Sequence, residues 1–222
     1  MPSAIIHRCI HKKVLEKTKK FKTDYDKYIY DISAVAPDSW RNTNELKDST
    51  LPKKLKRKIS HFSLDTEFVE HYELFKEKYI KNINHPFIFG YLVHLMTDNF
   101  WRLEMYYKRN YDINNIDNEL LNIDFSNEKT NLNKAIDIFT KDLKKQFNIN
   151  ELIPLKEKDI DSFPKIEELP YDGINTTIRF TNEQLNKELD EEAKEYNLKD
   201  MINGIETISN KIIEELKKEK IL

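Results

Sequence analysis

The residues of this sequence best suited to chemistry are His94 and Asp98, which interrupt an otherwise apolar segment. The segment from His85 to Trp101 reads HPFIFGYLVHLMTDNFW. A spacing of four residues places both side chains on one face of a helix, one turn apart. Because this helix is apolar nearly all round, we expect it to be buried, and a buried carboxylate needs a cation or several hydrogen-bond donors. A neutral imidazole beside a carboxylate provides half of a site for a divalent metal ion.

Other candidate metal ligands lie near other apolar segments. His7 lies on the first predicted helix, Asp38 in the loop APDSW, and His61 in the segment KISHF. In a helical bundle these side chains could converge on one point in the core, where bundle metal sites usually lie. The alternative is that each histidine is an ordinary core or surface residue, and that the His–Asp pair hydrogen-bonds along its helix. We expect the remaining histidines to be ordinary residues: His11, His71 and His85.

The composition indicates a helical protein without a strong preference for polyanions. Charged residues make up 34% of the 222 positions, whereas glycine occurs three times and proline seven times, which argues against turn-rich β architectures. The net charge of −2 gives no specific signal for nucleic acid or anionic membranes. The single cysteine, Cys9, excludes an internal disulfide. Because we find no secretory signal and no apolar run of about 20 residues, we expect a cytoplasmic protein without a transmembrane segment.

Apolar periodicity and capping residues predict an all-α, multi-helix bundle of about seven helices with a metal site in its core. We expect a single domain over residues 1–222, with a metal-site core at 1–110 and a helical extension at 111–222 packing on it. Residues 41–60 are polar and basic, and residues 111–130 and 149–180 read as loop or irregular structure. The predicted helices are 3–20, 23–34, 63–81, one beginning at Pro86, 131–147, 181–196 and 198–220. Ser63 and Glu67 are expected to form a capping pair for the third helix, and Thr181 is expected to cap the sixth.

Four motifs, in this order, resemble the bacterial zinc-dependent phospholipase C family: MPSAIIH, AVAPDSW, KISHF and HPFIFGYLVHLMTDNFW. That family is related in fold to the fungal zinc-dependent single-strand nucleases, and the resemblance covers roughly the first 105 residues. It implies that Asp38, His61, His94 and Asp98 hold one zinc ion. It also implies that His7 holds a second ion, with Asp98 bridging the two. The family builds a third site from later histidines, and because this chain has none after His94, we expect one or two ions.

The resemblance implies a metal-dependent phosphoesterase that uses metal-activated water on a small phosphate ester or a phospholipid headgroup. Asp38, in a loop, is the candidate catalytic residue that orients or deprotonates the water. Arg41 could reach a phosphate oxygen, or it could be a solvated loop cation. The KLKRK run at Lys54–Lys58 could attract polyanionic substrates, or it could form a solvated face. The ligand types also fit other divalent transition metals such as iron, manganese or nickel.

Three alternatives from other classes remain open. A nucleotide phosphohydrolase of another helical metal family would be favoured by an adjacent His–Asp dipeptide, which this chain lacks. A non-catalytic protein would use the metal only to join its helices, through a closed coordination sphere. An interaction protein would expose an apolar stripe on the helix that begins at Leu198. The sequence assigns neither substrate-binding residues nor an oligomeric state.

Overall fold

The structure, a computed structural model, describes residues 3–43, 53–63, 72–107, 126–187, 189, 191–193 and 195–222. In these ranges it contains nine α-helices and no strand, which confirms the predicted all-α class. Short 3₁₀ turns cover Ala36–Arg41, Ile80–Asn82 and Tyr171–Gly173, and a π-helical turn covers Arg102–Tyr107. The helices are α1 (Ala4–Thr18), α2 (Asp24–Ser33), α3 (Lys53–Ser60), α4 (Tyr72–Tyr79), α5 (Pro86–Trp101), α6 (Ser126–Gln146), α7 (Glu157–Asp161), α8 (Ile174–Leu185) and α9 (Leu198–Lys218).

Helix α5 is the central element of the bundle. It begins with Pro86 in its first turn, a position where a missing N–H costs nothing, and the His85 ring nitrogen accepts a hydrogen bond from the Phe87 N–H. Every residue from Pro86 to Asp98 is buried, and α1, α2, α4 and α9 all pack against the helix. A helix that is apolar all round is stable only when its whole circumference is covered in this way. None of the described helices combines the length and the apolar character needed to cross a bilayer.

Gly90 lets α2 approach α5 closely. A Cβ atom at this position would lie 1.6 Å from Ser33 Oγ and 2.8 Å from Ser33 Cβ. Any larger residue would therefore push the end of α2 away from α5. The 3₁₀ turn Ala36–Arg41, which includes Asp38, begins shortly after Ser33, the residue that contacts Gly90.

Helix α1 packs against both α5 and α9. Its core residues include Ile6, Ile10 and Val14, and the ion pairs of Lys13 and Lys17 with Glu206 join it to α9 on the outside. The apolar stripe of α9 is buried: Met201, Ile205, Ile208, Ile212 and Leu216. This burial removes the exposed stripe that would have favoured an interaction protein.

The structure corrects the expected place of His61, which the segment KISHF puts just before the predicted helix 63–81. Instead, His61 directly follows the end of α3, a helix that lies in the polar and basic stretch 41–60, where we predicted none. Phe62 adopts the left-handed conformation with φ 54°, and the Ser63 N–H donates to the Lys58 carbonyl at 3.0 Å. This bonding is the usual way in which a chain leaves the last turn of a helix.

Helix boundaries in the second half also differ from the prediction. The predicted helix 181–196 is wrong, because α8 ends at Leu185 and Thr181 lies buried inside it rather than at its start. Helix α6 begins at Ser126, five residues earlier than expected, and the short α7 lies in the stretch predicted to be irregular. The predicted partner Glu67, His71 and most of the predicted loop 111–130 lie outside the described residues. The division into a 1–110 core and a 111–222 extension stays a prediction.

Candidate metal centre

Helix α5 places His94 and Asp98 one turn apart in the core. His94 is 0% and Asp98 1% exposed, and His94 Nε2 lies 3.8 Å from Asp98 Oδ2. The charge of the carboxylate must therefore be compensated within the protein. The two side chains form the centre of the candidate site.

Helix α1 adds His7 to this pair. The His7 ring stacks on the His94 ring with centroids 3.9 Å apart, and His7 Nε2 lies 3.3 Å from Asp98 Oδ1. One ligand atom from each of the three buried residues lies within 4.8 Å of the others. This group could hold a metal ion.

His61, at the end of α3, also faces the pair on α5. Its Nε2 lies 3.3 Å from His94 Nε2 and 3.5 Å from Asp98 Oδ2. Ligand atoms bound about 2.1 Å from a tetrahedral zinc ion are separated by about 3.4 Å. The observed separations are close to that value. The structure therefore brings together imidazoles from three separate segments and one carboxylate.

The hydrogen bonds of the ring Nδ1 atoms determine which nitrogens face the centre as lone pairs. His94 Nδ1 lies 2.8 Å from the Ala34 carbonyl, and His61 Nδ1 lies 3.1 Å from the Arg57 carbonyl. Because a carbonyl only accepts, His94 Nδ1 bears the proton and His94 Nε2 is an acceptor, whereas His61 Nδ1 also lies 2.9 Å from the Ser60 hydroxyl, which can donate to it or accept from it. The His94 Nε2 lone pair, 3.3 Å from His61 Nε2, can accept a proton from that nitrogen or bind a cation. Metal-bound histidines usually donate their other N–H to a carbonyl or carboxylate in this manner.

The protonation states suit a metal ion. Burial lowers the pKa of His94 to about 4 and the pKa of His61 well below its usual value. Burial also opposes ionisation of Asp98, but the neighbouring imidazoles of His7, His94 and His61 outweigh it, so its pKa is well below the usual range. At neutral pH His94 and His61 are thus neutral and Asp98 is ionised, the forms in which these groups bind metals.

Asp38 lies at the more open side of the centre, on the 3₁₀ turn Ala36–Arg41. Its Oδ1 is 3.8 Å from His61 Nε2 and 3.4 Å from Arg41 Nη2, and its side chain is 17% exposed. Burial raises its pKa, but the Arg41 guanidinium and the imidazoles outweigh burial, so the pKa is about 2. Arg41 is 52% exposed and lies over the Trp40 ring, 5.2 Å from its centroid.

Several buried polar atoms of this centre have no hydrogen-bond partner among the described residues. They are both ring nitrogens of His7, Oδ1 of Asp38 and Oδ1 of Asp98. Native proteins almost always satisfy buried polar atoms, so a concentration of such atoms around one point indicates a missing ligand. The donor set of imidazoles and carboxylates fits a divalent transition metal. Both ring nitrogens of the buried His11, one turn after His7, also lack a hydrogen-bond partner among the described residues, but His11 does not belong to this group of ligand atoms.

Residues in the second half of the chain support the 3₁₀ turn that includes Asp38, and sequence analysis did not predict these contacts. Asn42 donates to Thr177 Oγ1 at 2.9 Å, and Thr43 donates to Asp172. A Cβ atom on Gly173 would lie 2.4 Å from the Ser39 carbonyl oxygen, so only glycine fits between this turn and α8. The sequence signal was the cluster Pro170 to Gly173, which lies in the stretch 149–180 that we interpreted only as loop or irregular structure.

Arg57 is a second residue that sequence analysis missed. Its Nη2 donates to Asp98 Oδ2 at 3.3 Å, and its side chain is 16% exposed. It belongs to the KLKRK run, for which we considered only the overall charge. Arg57, a member of that run, therefore contacts the candidate site directly.

Comparison of the chain with protein-family models, with curated proteins and with solved structures gives no match. The chemistry assigned to the centre therefore depends on its own geometry, together with the motif resemblance described above. What the geometry supports is a buried group of His7, His94 and Asp98 that could bind a metal ion.

Proposed function

We propose that this chain is a metal-dependent phosphoesterase whose divalent ions are held by His7, Asp38, His61, His94 and Asp98. The observation that supports it most is that His61 Nε2 and His94 Nε2, 3.3 Å apart, both face the ionised Asp98. The resemblance to the zinc-dependent phospholipase C family supports the hydrolytic activity. Three imidazoles favour zinc over magnesium or calcium, which prefer oxygen ligands.

The two oxygens of Asp98 support a centre with two ions. Oδ2 faces His61 and His94, whereas Oδ1 faces His7. In this proposal His61, His94, Asp38 and Asp98 hold one ion, and His7 holds the other with Asp98 as the bridge. A carboxylate that faces separate nitrogens with its two oxygens is suited to bridging.

A divalent ion bound here would acidify water and stabilise negative charge on a phosphoryl oxygen. The protein itself contributes Asp38, which is ionised at neutral pH because its pKa is about 2. So weak a base is suited to accepting a hydrogen bond from water and orienting it, rather than to keeping a proton. Arg41, 3.4 Å from Asp38, can donate to a phosphate oxygen on the same open side.

Metal analysis and a substrate panel test this proposal. We expect the protein purified without chelator to contain one or two equivalents of metal, and the His94→Ala variant to contain little. A His85→Ala variant, outside the centre, is the matched control and should retain the metal. The panel consists of 4-nitrophenyl phosphate, bis(4-nitrophenyl) phosphate and a phosphatidylcholine dispersion. Hydrolysis of each is measured in the presence of chelator and again after zinc is restored. Full metal content in His94→Ala would refute the site, and metal without hydrolysis of any ester would refute the activity.

The burial of the centre favours a second candidate, a metal that only joins α1, α3 and α5. The side chains of His7, His61, His94 and Asp98 are all 0% exposed. Cobalt substitution separates the two functions, since the visible spectrum of Co²⁺ reports its coordination. A spectrum that changes when inorganic phosphate is added supports the phosphoesterase, and an unchanged spectrum supports the structural role.

A further inference from the structure

We propose that Ser60 is a positioning residue for His61, whose ring carries its proton on Nε2 in the metal-free protein and on Nδ1 when a metal ion is bound. The Ser60 hydroxyl donates to His61 Nδ1 in the first state and accepts from it in the second. This inference rests on the metal centre of the proposed function and specifies how one ligand of that centre is held. It is based on the partners of the two ring nitrogens of His61.

Ser60 is the last residue of α3 and is 0% exposed. Its backbone carbonyl accepts a hydrogen bond from the Tyr91 hydroxyl, which joins it to α5 one turn before His94. Its own hydroxyl oxygen lies 3.1 Å from the Arg57 carbonyl and 2.9 Å from His61 Nδ1. Because a hydroxyl has one proton and two lone pairs, it can donate to the ring, or donate to the carbonyl and accept from the ring.

The surroundings of His61 Nε2 favour a proton on this nitrogen in the metal-free protein. The neutral ring has a single N–H. Its Nε2 lies 3.3 Å from His94 Nε2, which is an acceptor, and 3.5 Å from Oδ2 of the ionised Asp98. A proton that faces these acceptors is stabilised, whereas a further lone pair would be repelled by them. Nδ1 is then an acceptor, and the Ser60 hydroxyl donates to it at 2.9 Å.

A metal ion at His61 Nε2 reverses this arrangement. A metal binds the lone pair of a neutral imidazole, so the ring proton must then be on Nδ1. Nδ1 lies 3.1 Å from the Arg57 carbonyl, which can accept from it, and the Ser60 hydroxyl can rotate to become a second acceptor. The ring keeps one proton throughout, since Nε2 loses one and Nδ1 gains one. Ser60 therefore satisfies Nδ1 in both tautomers by rotation of its hydroxyl alone.

His94, in contrast, is held in one tautomer. Its Nδ1 lies 2.8 Å from the Ala34 carbonyl, which only accepts, so its Nε2 presents a lone pair in both states. A ring with a fixed tautomer thus faces a ring whose tautomer can change. The two Nε2 atoms share a hydrogen bond in the metal-free protein and an ion in the metal-bound protein, and the core avoids two opposed lone pairs 3.3 Å apart.

The Ser60→Ala variant should bind zinc more tightly than the wild type. Only the tautomer with the proton on His61 Nδ1 binds an ion, so the apparent affinity is the intrinsic affinity multiplied by the population of that tautomer. The variant loses the hydroxyl that stabilises the other tautomer, whereas the Arg57 carbonyl still accepts from Nδ1. The population of the binding tautomer should therefore rise. A residue that only supports a ligand would weaken binding when it is replaced, typically about 10- to 100-fold.

Heteronuclear NMR of protein with isotope-labelled histidines identifies the protonated ring nitrogen, and the His61 signals are those that His61→Gln lacks. In the wild type we expect the proton mainly on Nε2 after chelator treatment and on Nδ1 after zinc is added. In metal-free Ser60→Ala the population with the proton on Nδ1 should be larger. Competition with a chromogenic chelator should show the zinc affinity raised by the same factor, about 2- to 10-fold, which corresponds to one neutral hydrogen bond.

Ser33→Ala is the matched control. Ser33 is the last residue of α2 and is 0% exposed, and its hydroxyl also donates to the carbonyl three residues before it, that of Tyr30. This variant therefore loses a buried hydroxyl at a helix end, as Ser60→Ala does. We expect it to have the His61 tautomer and the zinc affinity of the wild type.

Several outcomes would overturn the inference. They are a proton mainly on His61 Nδ1 in the metal-free wild type, an unchanged tautomer population in Ser60→Ala, and zinc binding at least tenfold weaker in that variant. If Ser60→Ala does not fold, the change of tautomer between the metal-free and the zinc-loaded wild type decides. Tight zinc binding with any of these results overturns the role of Ser60 alone. A wild type that binds no zinc overturns the proposed metal centre, and with it the role of Ser60.

Discussion

Acidification should destabilise the metal-free protein, because its core contains neutral imidazoles. Burial lowers the pKa of His94 to about 4 from its usual value of 6.5. Between these values the unfolded chain binds a proton that the folded chain does not, so the free energy of unfolding falls as the pH falls. The interval of about 2.5 pH units, at about 1.4 kcal/mol per unit, corresponds to roughly 3 kcal/mol from His94. Below about pH 4 this residue should contribute no further loss. His11 and His61, whose pKa values burial also lowers, act in the same direction.

Urea unfolding of chelator-treated protein across this pH range measures the effect. The His94→Gln variant has no titrating group at this position, so its free energy of unfolding should fall by roughly 3 kcal/mol less than that of the wild type between pH 6.5 and 4. A difference in the free energy of unfolding that is the same at every pH reflects packing and does not bear on the titration of His94. An equal loss in the wild type and in His94→Gln would refute the argument that this imidazole is buried in the neutral form.

Three further predictions concern packing and metal binding. Gly90→Ala should lower the free energy of unfolding by about 1–3 kcal/mol, because its Cβ would overlap Ser33 Oγ, and Ser33→Ala should restore part of the loss in thermal melts. Gly173→Ala should displace the turn that includes Asp38, because its Cβ would meet the Ser39 carbonyl. We expect this variant to bind zinc more weakly, as measured by competition with a chromogenic chelator, and wild-type affinity would refute the dependence of zinc binding on this turn. Zinc at a hundred times its dissociation constant should stabilise the folded protein by about 2.7 kcal/mol in urea unfolding, and no stabilisation would exclude a folded-state site.

Local patterns were sufficient for the fold class and for several helices. Helix α2 begins after Thr23, whose hydroxyl accepts from the Asp26 N–H at 3.0 Å, and α5 begins at Pro86, both as predicted. Capping residues and apolar periodicity act over a few positions, so they can be interpreted without knowledge of the rest of the chain. The burial of α5 followed in the same way from its composition.

The helix before His61 could not be predicted because its termination depends on distant contacts. Phe62 is in the left-handed conformation, which is unfavourable for a residue with a Cβ atom. Its ring packs edge to face against Phe75 on α4, with centroids 5.4 Å apart. Such tertiary contacts can compensate for local strain, so a turn can form where local sequence preferences disfavour it.

The sequence by itself determined an all-α chain and five residues, three histidines and two aspartates, of types suited to holding a metal ion. Only the tertiary structure decided that these side chains, from residue 7 to residue 98, face one another at distances of a few ångströms. It also decided that Arg57 contacts Asp98 and that Gly173 supports the Asp38 turn. The physical reason is the distance along the chain over which each effect acts. Periodicity and capping depend on neighbouring residues, whereas the convergence of the ligand side chains depends on how the helices pack, which local patterns do not encode.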